Sequence, residues 1–195
     1  MDVTAVVFDV GETLADETRI WQRIADEVGV PRFTFSGVIG GLAARGESHK
    51  RVYELLGVEA QQGGGFEAVD LYDDVRPCLD ELRRSGTRVA LAGNAASGAY
   101  DGLGLDVDFV ASSADWGVEK PAPEFFARVV EECDCAPGQI AYVGDRVDND
   151  VVPAQAAGLF AVHLKRGPWG FLHDAPAGTP TIRSLAELSA VLADG

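Results

Sequence analysis

Short apolar runs alternate with amphipathic stretches along most of the chain. Val3–Phe8, Arg88–Ala92, Val107–Ala111, Ile140–Val143 and Leu159–Leu164 are mostly apolar, without regular polar alternation. That pattern predicts strands buried on both faces of a parallel sheet. Between them, Val75–Arg84, Pro123–Cys133 and Val151–Ala157 carry apolar residues at helical spacing, and Leu185–Leu192 adds a closing amphipathic segment. Strand and helix in alternation predict an α/β fold with a Rossmann-like, doubly wound parallel sheet.

One stretch breaks the alternation. Residues 16–71 hold no good strand but three helical patterns, Glu17–Val28, Phe35–Arg45 and His49–Leu56. Gly40-Gly41 punctuates them, and Gln61-Gln62-Gly63-Gly64-Gly65 reads as a flexible exit. The expected organisation is a core built from residues 1–15 and 72–195, with a small helical lobe, residues 16–71, inserted after the first strand.

Length and charge narrow the partners. A chain of 195 residues is room for about one domain and its accessory lobe. With 31 acidic against 16 basic residues, the net charge is −15. This argues against nucleic acid as a partner and against docking on an anionic membrane. Three cysteines make no disulfide framework, and Cys133 and Cys135 are too close for a CxxC pair. They read as ordinary reduced thiols of a cytoplasmic protein. The start MDVTAVVFDV has no basic leader region, and no apolar run reaches the ~20 residues of a membrane span.

The candidate chemistry collects where the predicted strands end, the usual ligand site of open parallel sheets. The first strand delivers Asp9, then Gly11, Glu12 and Thr13. The second delivers Gly93 and Asn94. The fourth delivers Gly144 and Asp145, followed by Asp148, Asn149 and Asp150, and Lys120 precedes a helix in GVEKPAPEFF. Any one aspartate at a strand end has a plainer reading as a turn or helix cap. Together the set suits phosphoryl transfer through a carboxylate. Asp9 can attack phosphorus, and Asp145 and Asp150 can help hold a hard cation. Lys120 can neutralise Asp9 and a phosphate oxygen together, and the amides of GNAASG, opening a loop or helix, can cradle the other oxygens.

These segments resemble the haloacid dehalogenase superfamily, in the branch with a small helical cap after the first strand (C1-type, subfamily I). FDVGETL resembles the first motif, LAGN the second, EKPAPEFF the third and GDRVDND the fourth, followed by a typical AAGL. DLYDDVRPCLDELRR resembles the family's return from cap to core. The resemblance implies a hydrolase acting on a small phosphorylated substrate, with Asp9 as nucleophile and Lys120 as its charge-balancing partner. It implies magnesium held at Asp9, the Gly11 carbonyl, Asp145 and Asp150. Gly93 and Asn94 fall in the phosphate-binding motif, and Glu12 and Arg146 stand beside the motifs as candidate substrate contacts.

Two positions depart from the family pattern. Its phosphatases place a second Asp, the general acid and base, two residues after the nucleophile, where this chain has Gly11. They place Ser or Thr before the Asn of the second motif, where this chain has Gly93. Losing an acid/base removes a factor of ~10²–10⁴. Three readings follow: a phosphatase with an altered acid/base, dehalogenase- or phosphonatase-like chemistry on the same Asp9, or a degenerate member that binds a metabolite or partner. Lys50 in the lobe is the candidate Schiff-base lysine of the second reading, against a plain solvated lysine. His49, His163 and His173 lack ligand spacing and read as surface or loop residues. Trp21 reads as packing within the lobe, with a substrate mouth as its alternative.

Overall fold

A computed structural model describes residues 2–61 and 63–194. Gln62, in the expected flexible exit, lies outside them. The chain opens with β1 (Ala5–Phe8) and then forms three helices, α1 (Thr18–Glu27), α2 (Arg32–Ala44) and α3 (Arg51–Leu56). It continues through α4 (Val75–Arg84), β2 (Arg88–Gly93), β3 (Phe109–Ser112), α5 (Ser113–Trp116) and α6 (Pro123–Cys133). After β4 (Ile140–Gly144), a π-helical turn over Val147–Val151 leads into α7 (Val152–Ala156). β5 (Phe160–Leu164), α8 (Gly167–Leu172), β6 (Thr181–Ile182) and α9 (Leu188–Asp194) complete the fold.

The six strands form one parallel sheet in the order β3-β2-β1-β4-β5-β6. This is the doubly wound order, and its direction reverses between β1 and β4. The sheet buries both faces with period two. Val6, Phe8, Val89, Leu91, Val143 and Val162 share a core with Val75, Leu79 and Leu82 of α4 and Leu188 of α9. Val7, Ala90, Ala92, Ile140 and Tyr142 pack with Phe125, Phe126 and Val129 of α6 and Ala154 of α7. Burying one such side chain is worth about 1.5–3 kcal/mol, so the continuous apolar runs are what place these strands in the middle.

The residues between β1 and α4 lie on the α4 side. Ile20, Ile24, Phe35, Ile39, Leu42 and Val52 belong to the same apolar cluster as Val6 and Phe8. The outgoing and returning chains meet at an antiparallel bridge between Ala15 and Leu71. Arg19 of α1 grips Asp70 beside that bridge with two hydrogen bonds of 2.7 and 2.6 Å.

Several local expectations change. The third strand begins at Phe109, not Val107, because Asp108 turns its carboxylate back to the Val89 N–H at 2.8 Å. Of the two readings of GNAASG, loop or helix, the loop holds: the chain runs through turns, and the Ala95 N–H is taken by Ser113 Oγ. The closing segment is a 3₁₀ turn over Leu185–Glu187 followed by α9, and α5, α8 and β6 were not anticipated. His163 is fully buried in β5 rather than on the surface. All three cysteines are free thiols. Among the described residues, no helix is long and apolar enough to cross a membrane.

Candidate active site

Asp9 follows β1 directly. Its N–H bonds Val143 O at 2.9 Å, which continues the β1–β4 ladder one step beyond the strand. The side chain therefore stands at the point where strand order reverses. Asp145 follows β4, and Asp150 lies within the π-helical turn beyond it. One carboxylate oxygen from each of Asp9, Asp145 and Asp150 lies within 4.8 Å of the others.

Lys120 sits among them, and its side chain is only 1% exposed. Its Nζ donates to Asp9 Oδ1 and Asp150 Oδ1, both at 2.6 Å. Burial alone would depress the ammonium, but Asp150 and Asp9 hold its pKa well above the ordinary lysine value. Asn94 sets this loop. Its Nδ2 donates to Lys120 O at 2.9 Å, and its Oδ1 accepts from Lys120 N at 2.8 Å. The side-chain amide is thus spent on positioning Lys120.

Asp150 is fixed from its own turn as well, since Oδ2 accepts from Arg146 N at 2.9 Å. Gly144 makes room for it: a Cβ there would stand 2.5 Å from Asp150 Cγ. Burial, then the charges of Asp150 and Asp9, push the Asp145 carboxyl well above its ordinary pKa. His163 lies beneath Asp145, with Nε2 3.1 Å from the Asp145 carbonyl. Burial pushes the His163 imidazole down, so the neutral ring supports the strand end without adding charge.

Three carboxylates with one lysine leave an excess of negative charge in a confined space. The donor set is all oxygen, as a hard divalent cation requires. Magnesium fits these residues on charge and ligand type.

The cleft above has a volume of about 410 Å³, within the range of small-ligand sites. Asp9, Gly11, Lys120, Asp145 and Arg146 line it on one side, and His49 and Lys50, from the residues between α2 and α3, on the other. Arg146 pairs with Asp148 at 2.7 Å and lays its guanidinium 4.9 Å from the Trp169 ring. His49 is a half-buried residue of the turn before α3, as a loop reading expects, and its ring lies 5.4 Å from that of Trp21 and 6.2 Å from that of Trp169. Burial, with Arg146 and Lys50 nearby, pushes its pKa down to about 4. Lys50 reaches the rim but pairs with Glu119 at 3.4 Å, and both side chains are exposed.

Glu12 lines the cleft and turns its carboxylate onto neighbours in the chain. It adopts φ +52°, and its carboxylate accepts from Glu17 N at 3.1 Å and from the Tyr72 hydroxyl at 2.7 Å. Two residues absent from the sequence reading also enter. Glu17 lines the cleft just before α1, and a Cβ on Gly11 would lie 2.7 Å from its Oε1. Burial, then the neighbouring Glu12 charge, pushes Glu17 up to about 8. Tyr100 brings its hydroxyl to 2.6 Å from where a Gly93 Cβ would be, and Asp9 Oδ1 is 2.7 Å from the same point. The signal for both was two glycines where side chains were expected. Thr13 is buried next to the loop, and its hydroxyl has no partner among the described residues.

A buried lysine among carboxylates, at the switch point of a doubly wound sheet, is the site of an α/β enzyme. The profile of the haloacid dehalogenase-like hydrolases matches residues 3–158, and the chain belongs to that family. It is 27% identical to a glyceraldehyde 3-phosphate phosphatase of Methanopyrus kandleri, over 86% of each chain. It is 31% identical to a ribulose-1,5-bisphosphate 5-phosphatase of Halopiger xanaduensis, over 63% of this chain and 60% of that one. In structure it resembles the HAD-hydrolase YfnB of Bacillus subtilis, solved bound to magnesium, with a TM-score of 0.74 and 19% identity. That match covers 98% of this chain and 99% of the other.

Proposed function

We propose that the protein is a magnesium-dependent phosphatase of small phosphorylated metabolites, working through an aspartyl phosphate on Asp9. The observation that carries this is the Asp9–Lys120–Asp150 constellation, with Asp145 beside it, at the floor of the cleft. The phosphatase names of the two sequence relatives support the same reaction class.

The geometry supports a two-stage displacement. An Asp9 carboxylate oxygen forms a bond to phosphorus while the bond to the leaving oxygen breaks. Lys120, held by Asn94 and balanced by Asp150, keeps Asp9 oriented and offsets charge on the phosphoryl oxygens. Water then attacks phosphorus, the Asp9–phosphorus bond breaks, and inorganic phosphate leaves. Asp9, Asp145, Asp150 and the Gly11 carbonyl would hold magnesium, which supplies the positive charge that lets a phosphate approach clustered carboxylates. Arg146 and Asn94 line the cleft on the substrate side. We place the helical cap at residues 16–71, where it closes the cleft with His49 and Lys50.

The test is a phosphate-release panel with magnesium, covering glyceraldehyde 3-phosphate, ribulose 1,5-bisphosphate and p-nitrophenyl phosphate. Wild type is expected to release phosphate from at least one, and Asp9→Asn to lose that activity. Equal rates in the two proteins would sink the reading.

A further inference from the structure

The proposed reaction moves two protons. The leaving oxygen must gain one as its bond to phosphorus breaks, and the attacking water must lose one. Most candidates for this task in the cleft are already committed. Lys120 is shared between Asp9 and Asp150. Glu12 is occupied at both oxygens, Asp148 holds Arg146, and Glu119 holds Lys50 at the rim.

Glu17 is different. Its Oε2 accepts from Trp21 Nε1 at 3.2 Å, and its Oε1 has no hydrogen-bond partner among the described residues. That free oxygen lies against the face of Gly11, two residues beyond Asp9, where a side chain at position 11 would begin. The tryptophan holds the carboxyl by one oxygen and leaves the other toward the cleft. Tyr100 and Gly93 repeat the device on the neighbouring strand end, with a hydroxyl lying where a Gly93 side chain would begin. At both positions the space a Cβ would take is filled by the tip of a polar side chain that arrives from elsewhere in the chain and would have to shift if the glycine were replaced.

We propose that Glu17, carried in front of the first helix of the inserted segment, is a catalytic residue that transfers both protons. Its carboxyl gives a proton to the leaving oxygen as Asp9 bonds to phosphorus, releasing the alcohol. The resulting carboxylate takes a proton from water as the water oxygen bonds to phosphorus and the Asp9 bond breaks. Glu17 ends as it began. This assignment rests on the aspartyl-phosphate reading and adds its missing acid/base. It also ties chemistry to the inserted segment, because α1 and its leading residue must be seated for proton transfer.

The experiment uses the full chain with magnesium and compares wild type, Asp9→Asn, Glu17→Gln, Glu17→Ala, Gly11→Asp and the double variant Gly11→Asp/Glu17→Ala. Glu17→Gln keeps shape and the Trp21 acceptor. It is expected to lower kcat by ~10²–10⁴-fold with KM nearly unchanged. With p-nitrophenyl phosphate, whose leaving group departs without a proton, Glu17→Gln should give a burst of nitrophenol and then slow turnover. Gly11→Asp alone should be impaired, because its Cβ would meet the Glu17 carboxyl. The double variant should recover at least tenfold over Glu17→Ala, since the carboxyl is returned from the other side. Glu17→Gln within threefold of wild-type kcat, in an enzyme that needs Asp9, overturns the role of Glu17 alone. Phosphate release that survives Asp9→Asn overturns the aspartyl-phosphate reading and the Glu17 role with it.

Discussion

Replacing Lys120 by methionine removes one charge from a site that has almost no access to water. At 2.6 Å from each of Asp9 Oδ1 and Asp150 Oδ1, each pair is attractive by about 6 kcal/mol at an effective dielectric of ~20. Most of that attraction offsets the cost of bringing the three charges out of water. The variant keeps that cost for the carboxylates and loses the compensation. Removing one partner of a buried pair typically destabilises by about 3–5 kcal/mol. The Lys120 ammonium also lies 5.9 Å from the Phe125 ring centroid and 5.5 Å from that of Tyr142, and methionine is chosen because it roughly keeps the side chain's length and apolar character while removing the charge. For a chain of this size each kcal/mol moves Tm by roughly 2–4 °C. Lys120→Met should therefore lose about 6–20 °C in metal-free buffer, by calorimetry or a circular-dichroism melt. Urea unfolding should show the same loss with an unchanged m-value. A double-mutant cycle with Asp150→Asn should give a coupling energy above about 1 kcal/mol. If Lys120→Met melts within 2 °C of wild type, the carboxylates do not depend on the lysine, and the electrostatic account of the site is wrong.

Two further outcomes follow from the geometry. Gly144→Ala forces a Cβ against the Asp150 side chain and should cost about 1–3 kcal/mol together with the proposed activity. Gly138→Ala, which meets nothing within 4 Å, should leave both within error in the same melt and phosphate-release assays. His49 tests the pH response of the cleft mouth. Its folded pKa of about 4 lies below the ordinary 6.5, so the unfolded chain binds the extra proton first, and stability falls as pH drops from about 6.5 to about 4. Between pH 7 and pH 5 this amounts to about 2 kcal/mol. Urea unfolding of His49→Gln should lack that part of the decline, and parallel pH curves for the two proteins would refute it.

The sheet was legible because its strands are buried on both faces, so each announces itself as an apolar run without needing context. What the runs could not show were elements whose stability is tertiary. β6 is two residues long and exists by pairing Leu164 with Ile182. α8 spans GPWGFL, a poor helix by composition, and is secured by the buried Trp169. His163 was misread because an imidazole among apolar neighbours looks the same in sequence whether it is exposed or buried under a strand-end carbonyl.

The candidate site divides along the same line. Asp9, Lys120, Asp145 and Asp150 come from segments whose order and strand-end positions are local properties, and the fold brings all four together. Glu17 and Tyr100 are not local in this sense. Each reaches the site across a gap that only the packed chain closes, and each is marked in the sequence solely by what it displaces. A glycine at position 11 reads as a loss while the loop is considered alone. Once Glu17 Oε1 is found 2.7 Å from its missing Cβ, the same glycine gains a role, because a side chain there would displace the carboxyl from its present place. An empty motif position is thus informative in two steps: the sequence shows that a side chain is missing, and only the tertiary structure shows what occupies its place.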